Sequence, residues 1–335
     1  MSVSSKRADP ATSSQNRLPD FFIVGHAKSG TTALYEMLRR HPQIYMPDVK
    51  EPMFFARSQP APGVHPKPFE RTGKRTETLE DYLSLFAGAG PEQLVGEAST
   101  FYLWSPTAPA RIAEAQPAAR IVAILREPAS FLRSLHLQMV QNHAESEKDL
   151  RKALALEETR REGVNIPPDA YWPAALIYSD RVRYVEQLRR YHHLFNDDQV
   201  LVLIYDDFRR DNVATVQRVM RFLGVDDDRI AIERIEANPS VSVRSVRLDR
   251  MTRMVKAGRG PAGRLLNTTV RALTTSQMRG RVLYPLRRRL VYSGPRAPDE
   301  ALMSELRHRF RGEVEALSEY LGRDLLALWG YDGRD

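Results

Sequence analysis

Four groups of residues in this 335-residue chain set charge, hydroxyl and glycine at spacings suited to chemistry on an anion. The first is Lys28-Ser29-Gly30-Thr31-Thr32. Small residues around a lysine let backbone N–H groups converge on a phosphate, and a helix opening near Gly30 adds unsatisfied donors and the positive end of its dipole. Loops that grip ATP or GTP for hydrolysis place the lysine directly after the second glycine. Here Thr31 follows Gly30, and the lysine lies two places earlier. The second group is Arg126-Glu127-Pro128 with Ser134 eight residues after the arginine, a charged fork and a hydroxyl that suit one phosphate. The third is Lys50-Glu51-Pro52-Met53-Phe54-Phe55, in which a lysine and an aromatic pair can position and tune a carboxylate. The fourth is Gly96-Glu97-Ala98-Ser99-Thr100-Phe101-Tyr102, which sets a carboxylate, two hydroxyls and aromatic rings together at a strand end. His26, His136 and His143 are further proton acceptors.

These groups need a scaffold, and the hydrophobic pattern supplies one. Phe21 to Val24 predicts a strand, followed by a helix from Thr31 to Arg40 that carries Leu34, Met37 and Leu38 at helical spacing and stops at His41-Pro42. Pro47 to Pro68 predicts a long surface loop, Thr78 to Phe86 a short helix and Leu94 to Ala98 a short strand. The nearly continuous apolar run from Ala119 to Leu125 fits a strand buried on both faces of a parallel sheet. Helices are predicted over Ala129 to His143, Asp149 to Arg161 and Ala174 to Phe195, then a strand over Val200 to Ile204 and a helix ending near Gly224. Pro298 to Leu321 presents Leu302, Leu306, Phe310, Val314 and Leu317, with Trp329 beyond, as a core-facing stripe. Strands alternating with helices predict an α/β fold with a parallel sheet flanked by helices, whose ligand sites sit at the C-terminal ends of the strands.

The lysine-bearing loop resembles the nucleotide-phosphate loop of sulfotransferases that use 3'-phosphoadenosine 5'-phosphosulfate (PAPS). The Arg126 to Ser134 spacing resembles the 3'-phosphate motif of the same family. Lys50 to Phe55 resembles the Glu-x-x-Phe-Phe of Golgi glycan sulfotransferases and the Lys-Glu-Pro of bacterial relatives, and Gly96 to Tyr102 their Gly-Glu-Lys-Ser-x-x-Tyr segment. Val200 to Asp207 and Phe222-Leu223-Gly224 extend the likeness along nearly the whole chain. The resemblance implies a P-loop NTPase-like fold with a single catalytic domain over 19–335. It implies PAPS as sulfonyl donor bound by Lys28, Ser29, Gly30, Thr31, Thr32, Arg126 and Ser134. It further implies Glu51 as the base that takes the acceptor's proton, Lys28 as the group that neutralises charge on the leaving phosphate, and no metal. Lys50, Glu97, Ser99 and Tyr102 would face the acceptor. Asn238, Arg244 and Arg247 fall where relatives close over the nucleotide, although the Lys-x-Gly signature is absent there. Ala98 stands where the glycan enzymes have a lysine, which counts against an acidic polysaccharide acceptor and leaves glycolipids, saccharides and phenolic metabolites.

Composition narrows the partners. The absence of cysteine excludes disulfides, thiolate zinc sites and a cysteine nucleophile. Residues 1–18 are polar and predict a disordered tail with no signal-peptide core, and no apolar run reaches a membrane-spanning length, so a cytoplasmic protein is expected. Net charge is +8, yet Arg244 to Arg289 holds thirteen arginines and lysines against one acid, leaving a mildly acidic remainder. Within 244–290, Leu265, Leu266, Val270 and Leu273 interleave with Arg264 and Arg271 at helical spacing. This segment is expected to meet an anionic acceptor or the inner membrane face, with nucleic acid the less expected partner. Two rival readings remain open from sequence. One is a nucleotide kinase or ATPase, with Asp206 and Asp207 ending a magnesium-binding strand; the other is a non-catalytic binder of anionic lipid or nucleic acid.

Overall fold

The computed structural model describes residues 17–56, 76, 78–170, 172–226, 242–243, 292–293 and 297–332. Contacts divide the chain into two compact units, one drawn from 1–131, 181–237 and 310–335 and the other from 132–180 and 238–309.

The first unit is built on five parallel strands in the order β2-β3-β1-β4-β5: β1 (Phe21–Gly25), β2 (Ile44–Tyr45), β3 (Leu94–Ala98), β4 (Arg120–Leu125) and β5 (Val200–Ile204). β1 and β4 read as unbroken apolar runs because both faces are covered; Phe21 to Val24 and Ile121 to Leu125 are fully buried. Gly96 in β3 answers a close approach, since a Cβ there would lie 2.2 Å from the Phe21 ring and 2.3 Å from the Met46 sulfur. One covering layer is formed by α1 (Thr31–Arg39), α8 (Tyr205–Arg210) and α9 (Asn212–Leu223), whose Leu34, Leu38, Phe208, Val216 and Leu223 pack against Ile23, Val122 and Leu203. Gly224 ends α9 at φ 72°, the left-handed cap for which glycine is favoured. Asp206 accepts the Trp329 indole N–H at 2.9 Å, and Asp207 is bonded by both terminal nitrogens of Arg323. The two aspartates thus fasten the chain around α11 (Leu325–Trp329) to the end of β5.

The unit also contains α2 (Leu79–Ser84), α3 (Ala108–Ala115) and α7 (Tyr184–His192). Thr78 and Asp81 cap α2 reciprocally. α4 (Pro128–Gln141) and α10 (Glu300–Leu321) each run from one unit into the other. The anticipated stripe of α10 is buried at Leu302, Leu306, Phe310, Val314 and Leu317, as is Trp329 on α11.

The second unit holds α5 (Leu150–Ala155), α6 (Glu157–Arg161) and a two-residue antiparallel pair, β6 (Ser242–Val243) with β7 (Tyr292–Ser293). Its core includes a buried Arg160–Glu145 ion pair at 2.8 Å, with Tyr178 donating to Glu145 at 3.0 Å.

Two helices expected from sequence are broken. Asp149 caps α5, but the turn at Leu156 separates it from α6. The stretch Ala174 to Phe195 becomes two 3-10 turns, Pro173–Leu176 and Tyr178–Val182, before α7 begins. Ile177 and Arg183 leave helical angles there, and the irregular path buries Tyr178, Arg181, Val182 and Tyr184 together. The expected surface loop after Pro47 is also corrected in part. Pro52, Met53, Phe55 and Ala56 are buried, and Phe54–Ala56 forms a 3-10 turn. The remainder of that loop, 57–68, lies outside the described residues, as do the polar residues 1–16 and the basic segment 244–290.

Candidate active site

Hydrogen bonds between the strand ends bring three of the sequence groups to the C-terminal edge of β1, β3 and β4. Ser99 N–H donates to the Ile23 carbonyl, Leu103 N–H to Val24, and His26 N–H to Ile124. Above β1, Lys28 adopts φ 64° and Gly30 φ 85°. The left-handed glycine is the N-cap of α1 and offers no side-chain cap, and the first turn of α1 contains no acid. Helix donors of this kind suit an anion. Ser29 is fully buried with its hydroxyl turned toward the Ala27 carbonyl at 3.5 Å, Thr31 is buried and Thr32 is exposed.

Arg126 leaves β4 and donates to the Lys28 carbonyl at 3.0 Å, so it also braces the loop. Its guanidinium lies over the Tyr205 ring at 4.8 Å, a cation–π contact that fixes its direction. Tyr184 donates to the Arg126 carbonyl at 2.8 Å. The next residue explains the Arg-Glu-Pro spelling: Glu127 accepts from Ala129 and Ser130 N–H, capping α4, and Pro128 occupies the first helical position. Ser134 is buried farther along α4.

Glu51 sits on a strained path, with φ 61° at Glu51 and φ 57° at Met53. Three of the described non-glycine residues in the left-handed region, Lys28, Glu51 and Met53, therefore fall in the groups singled out for chemistry, a place where such strain is often kept. The Glu51 N–H donates to the Ala98 carbonyl at 2.9 Å, and its Oε1 accepts from Lys50 Nζ at 3.2 Å and Thr100 Oγ1 at 3.3 Å. The Lys50 and Glu51 side chains are 18% and 14% exposed, so both remain partly reachable from solvent.

The residues expected to face the acceptor support this loop from beneath. Ser99 Oγ accepts the Met53 N–H at 2.9 Å, and Tyr102 Oη accepts the Phe55 N–H at 3.2 Å. Tyr102 and Tyr82 both donate to Glu97 Oε2, at 2.8 and 2.9 Å. Glu97, Ser99 and Tyr102 are fully buried. Burial pushes the Glu97 carboxyl up to about 7 and the Glu51 charge adds to the rise, against the hydroxyls of Ser99, Tyr102 and Tyr82, which favour its anion. Arg111 on α3 donates to the Phe54 and Phe55 carbonyls at 3.3 and 3.0 Å and lies 5.6 Å from the centre of the Phe54 ring. Ala98 is buried within the apolar core.

Thr100, Arg111, Tyr82 and Tyr205 were not singled out by sequence. Thr100 and Tyr205 stood inside segments already marked, whereas Arg111 and Tyr82 become visible only when distant elements meet. The histidines have other partners: His26 is buried with Nε2 2.8 Å from Gln187 Oε1, and burial, reinforced by the Arg181 charge, drives its pKa down to about 3. His136 Nε2 lies 2.9 Å from the Glu147 carbonyl, and burial lowers its pKa. His143 stands at φ 62°, beyond the end of α4. Asn238, Arg244 and Arg247 lie outside the described residues. Among the described residues no cluster of His, Cys, Asp or Glu is arranged to hold a metal, and no helix is long and apolar enough to cross a membrane.

The profile described as Sulfotransferase family matches residues 19–229. Carbohydrate sulfotransferase 15 of Homo sapiens is 27% identical over 62% of this chain and 44% of its own length. Bifunctional heparan sulfate N-deacetylase/N-sulfotransferase 4 of Mus musculus is 27% identical over 63% of this chain and 23% of its own. The chain thus spans less than half the length of either animal relative. The crystal structure of a sulfotransferase from Alicyclobacillus acidocaldarius superposes with a TM-score of 0.61 at 28% identity, covering 93% of this chain and 98% of that one.

Proposed function

Starting from a chain that belongs to the sulfotransferase family, we propose that it moves a sulfonyl group from PAPS to an acceptor hydroxyl. The observation that carries this reading is the junction of an uncapped α1 amino end, the Lys28 loop and the Arg126 brace at the same sheet edge as the anchored Glu51. The groups present fit a 3',5'-phosphorylated nucleotide. Lys28 and the α1 donors suit the 5'-phosphate, while Arg126 and Ser134 suit the 3'-phosphate, with Arg244 and Arg247 proposed to close over it. PAPS, when bound, supplies an activated sulfonyl group.

The chain's own residues do the rest. Glu51 Oε1 or Oε2 accepts the hydroxyl proton as the acceptor oxygen forms its bond to sulfur. Lys28 Nζ and the loop N–H groups neutralise the charge that builds on the phosphate oxygen as its bond to sulfur breaks. The products are a sulfate ester and adenosine 3',5'-bisphosphate (PAP). Thr100 and Lys50 hold the Glu51 carboxylate, and Glu97, Ser99 and Tyr102 take a supporting role in shaping the site. With a buried methyl at position 98 where the glycan enzymes have a lysine, the acceptor is proposed to be a hydroxyl of a saccharide, glycolipid or phenolic metabolite.

Isothermal titration with PAP in the presence of EDTA tests the nucleotide site, and label transfer from sulfur-labelled PAPS tests the reaction. Tight metal-free binding that Lys28→Ala leaves without turnover is expected. A magnesium requirement for binding would favour the kinase reading, against which stand the engagements of Asp206 and Asp207 with Trp329 and Arg323. Label on an amine nitrogen would correct the acceptor atom and keep the donor chemistry.

A further inference from the structure

Glu97 is buried beneath the base loop with a set of hydroxyl partners. Oε2 takes both tyrosine hydroxyls, and the Ser99 hydroxyl also favours the anion. Tyr102 donates to Glu97 Oε2 while its oxygen accepts the Phe55 N–H. A continuous path therefore runs from the carboxyl through Tyr102 to the amide of Phe55, four residues beyond Glu51. A second runs from Ser99, two residues along from Glu97, to the amide of Met53. The peptide between them supplies the Ala98 carbonyl that holds the Glu51 N–H. The charged and titratable groups that act on Glu97 come from several elements: Tyr82 on α2, Tyr102 after β3, Tyr191 on α7 and Glu51 itself. The Tyr191 hydroxyl is buried with no hydrogen-bond partner among the described residues.

We propose that Glu97 is a positioning residue for Glu51, holding the base loop through Tyr102 and Ser99 and presenting a second carboxyl whose ionisation is linked to that of the base. This rests on Glu51 being the base. Two like charges that feel each other share their protons as a pair, so the second to ionise does so against the charge of the first. When Glu51 takes a proton from the acceptor, its charge vanishes and Glu97 ionises more readily. The anion of Glu97 in turn strengthens the hold of Glu51 on the proton it has taken. Tyr82 and Tyr102, both donating to Oε2, stabilise that anion, and burial opposes it. The balance places the change close to neutral pH.

The test is a carbon-13 carboxyl titration of the full chain labelled at glutamate, with the Glu97 resonance assigned by its loss in Glu97→Gln. Three proteins are compared: wild type, Glu51→Gln and Tyr82→Phe. In the wild type Glu97 is expected to titrate well above the exposed glutamates. Removing the Glu51 charge should lower its midpoint by about half a unit or more. Removing one hydroxyl donor should raise it. Equal midpoints in wild type and Glu51→Gln overturn the proposal, as does a Glu97 that titrates with the exposed glutamates. Both substitutions preserve side-chain volume; if Glu51→Gln proves unstable, Glu51→Asn removes the same charge with a residue that tolerates the left-handed backbone, and a Glu97 midpoint equal to wild type there overturns the proposal. Metal-free PAP titration on the same samples addresses the functional reading separately. A wild type that binds no PAP sinks that reading, whereas the linkage of the two carboxyls stands or falls on the midpoints.

Discussion

Replacing Gly30 by alanine isolates what the Lys28 loop demands of its backbone. The residue sits at φ 85°, and a Cβ built there would lie 2.8 Å from Phe208 Cδ1, 2.9 Å from Phe208 Cε1 and 3.3 Å from Tyr205 Cε2. The left-handed conformation costs an L-residue about 1 to 2 kcal/mol. Phe208 is only 3% exposed and packed among Leu34, Leu203 and Val219, so it cannot swing aside. Overpacking of this kind costs a further 1 to 3 kcal/mol, roughly. Gly30→Ala is therefore expected to lose about 2 to 5 kcal/mol of stability in urea unfolding. Relaxation of the clash moves the α1 amino end, so PAP affinity should fall about tenfold or more, equivalent to about 1.4 kcal/mol. Adding Phe208→Leu separates the two terms, because a smaller side chain relieves the contact and leaves the dihedral strain. The double-mutant cycle should show about 1 to 3 kcal/mol of favourable coupling. A Gly30→Ala protein within about 0.5 kcal/mol of wild type, or a cycle with no coupling, refutes the reasoning.

Arg126→Ala removes the brace on the Lys28 carbonyl and, on the proposed reading, a charge-assisted phosphate contact, so PAP binding should weaken by about 1.5 to 3 kcal/mol in calorimetry, and unchanged affinity would move the 3'-phosphate elsewhere. Glu51→Gln should cut turnover about 10²- to 10⁴-fold with PAP affinity nearly preserved, and survival of turnover would assign the proton to another group. Arg323 holds the Asp207 carboxyl below the usual carboxylate range, so their pairing contributes stability above the unfolded pKa that is lost as pH falls through the lower folded value. The stability gap between wild type and Asp207→Asn should accordingly shrink as pH drops below about 4 in urea melts, and a gap constant down to strong acid would discount the pair. Liposome co-sedimentation checks the basic segment 244–290: binding that requires anionic lipid and fades with salt is expected, at about 1 kcal/mol per cation near the surface, and no binding at any composition rejects it.

The sheet was legible because its strands declare themselves locally. Ile121 to Leu125 and Val200 to Ile204 are apolar runs ended by polar turns, and Leu94 to Ala98 is short but bounded by a glycine-rich turn and a hydroxyl cluster. The Lys28 loop and the Glu51 loop were legible as spellings, since each sets particular residue types close together. The support beneath them was not. Glu97, Ser99 and Tyr102 read as candidates to face an acceptor, and their burial depends on Tyr82 arriving from α2 and on the base loop folding over them, neither of which leaves a local trace. Asp206 and Asp207 likewise looked free for magnesium because Arg323 and Trp329 lie more than a hundred residues away in sequence. The run from Ala174 to Phe195 has helical spacing, but the burial of Tyr178, Arg181 and Tyr184 bends the chain out of a single helix.

The bond from Tyr331 to Glu127 joins residues 204 positions apart, and Glu127 is the cap that follows Arg126. At translation rates of about 5 to 20 residues per second, roughly 10 to 40 s separate the two ends of that contact as they leave the ribosome. A growing chain halted at position 300 has all five strands in hand and lacks Arg323, Trp329 and Tyr331. Its sheet can form, and Lys28, Tyr184 and Tyr205 are already in hand to hold Arg126, while the Glu127 cap waits for its clasp. The order of synthesis thus leaves the Tyr331 bond until last, and a stalled nascent chain is expected to be compact before that bond closes.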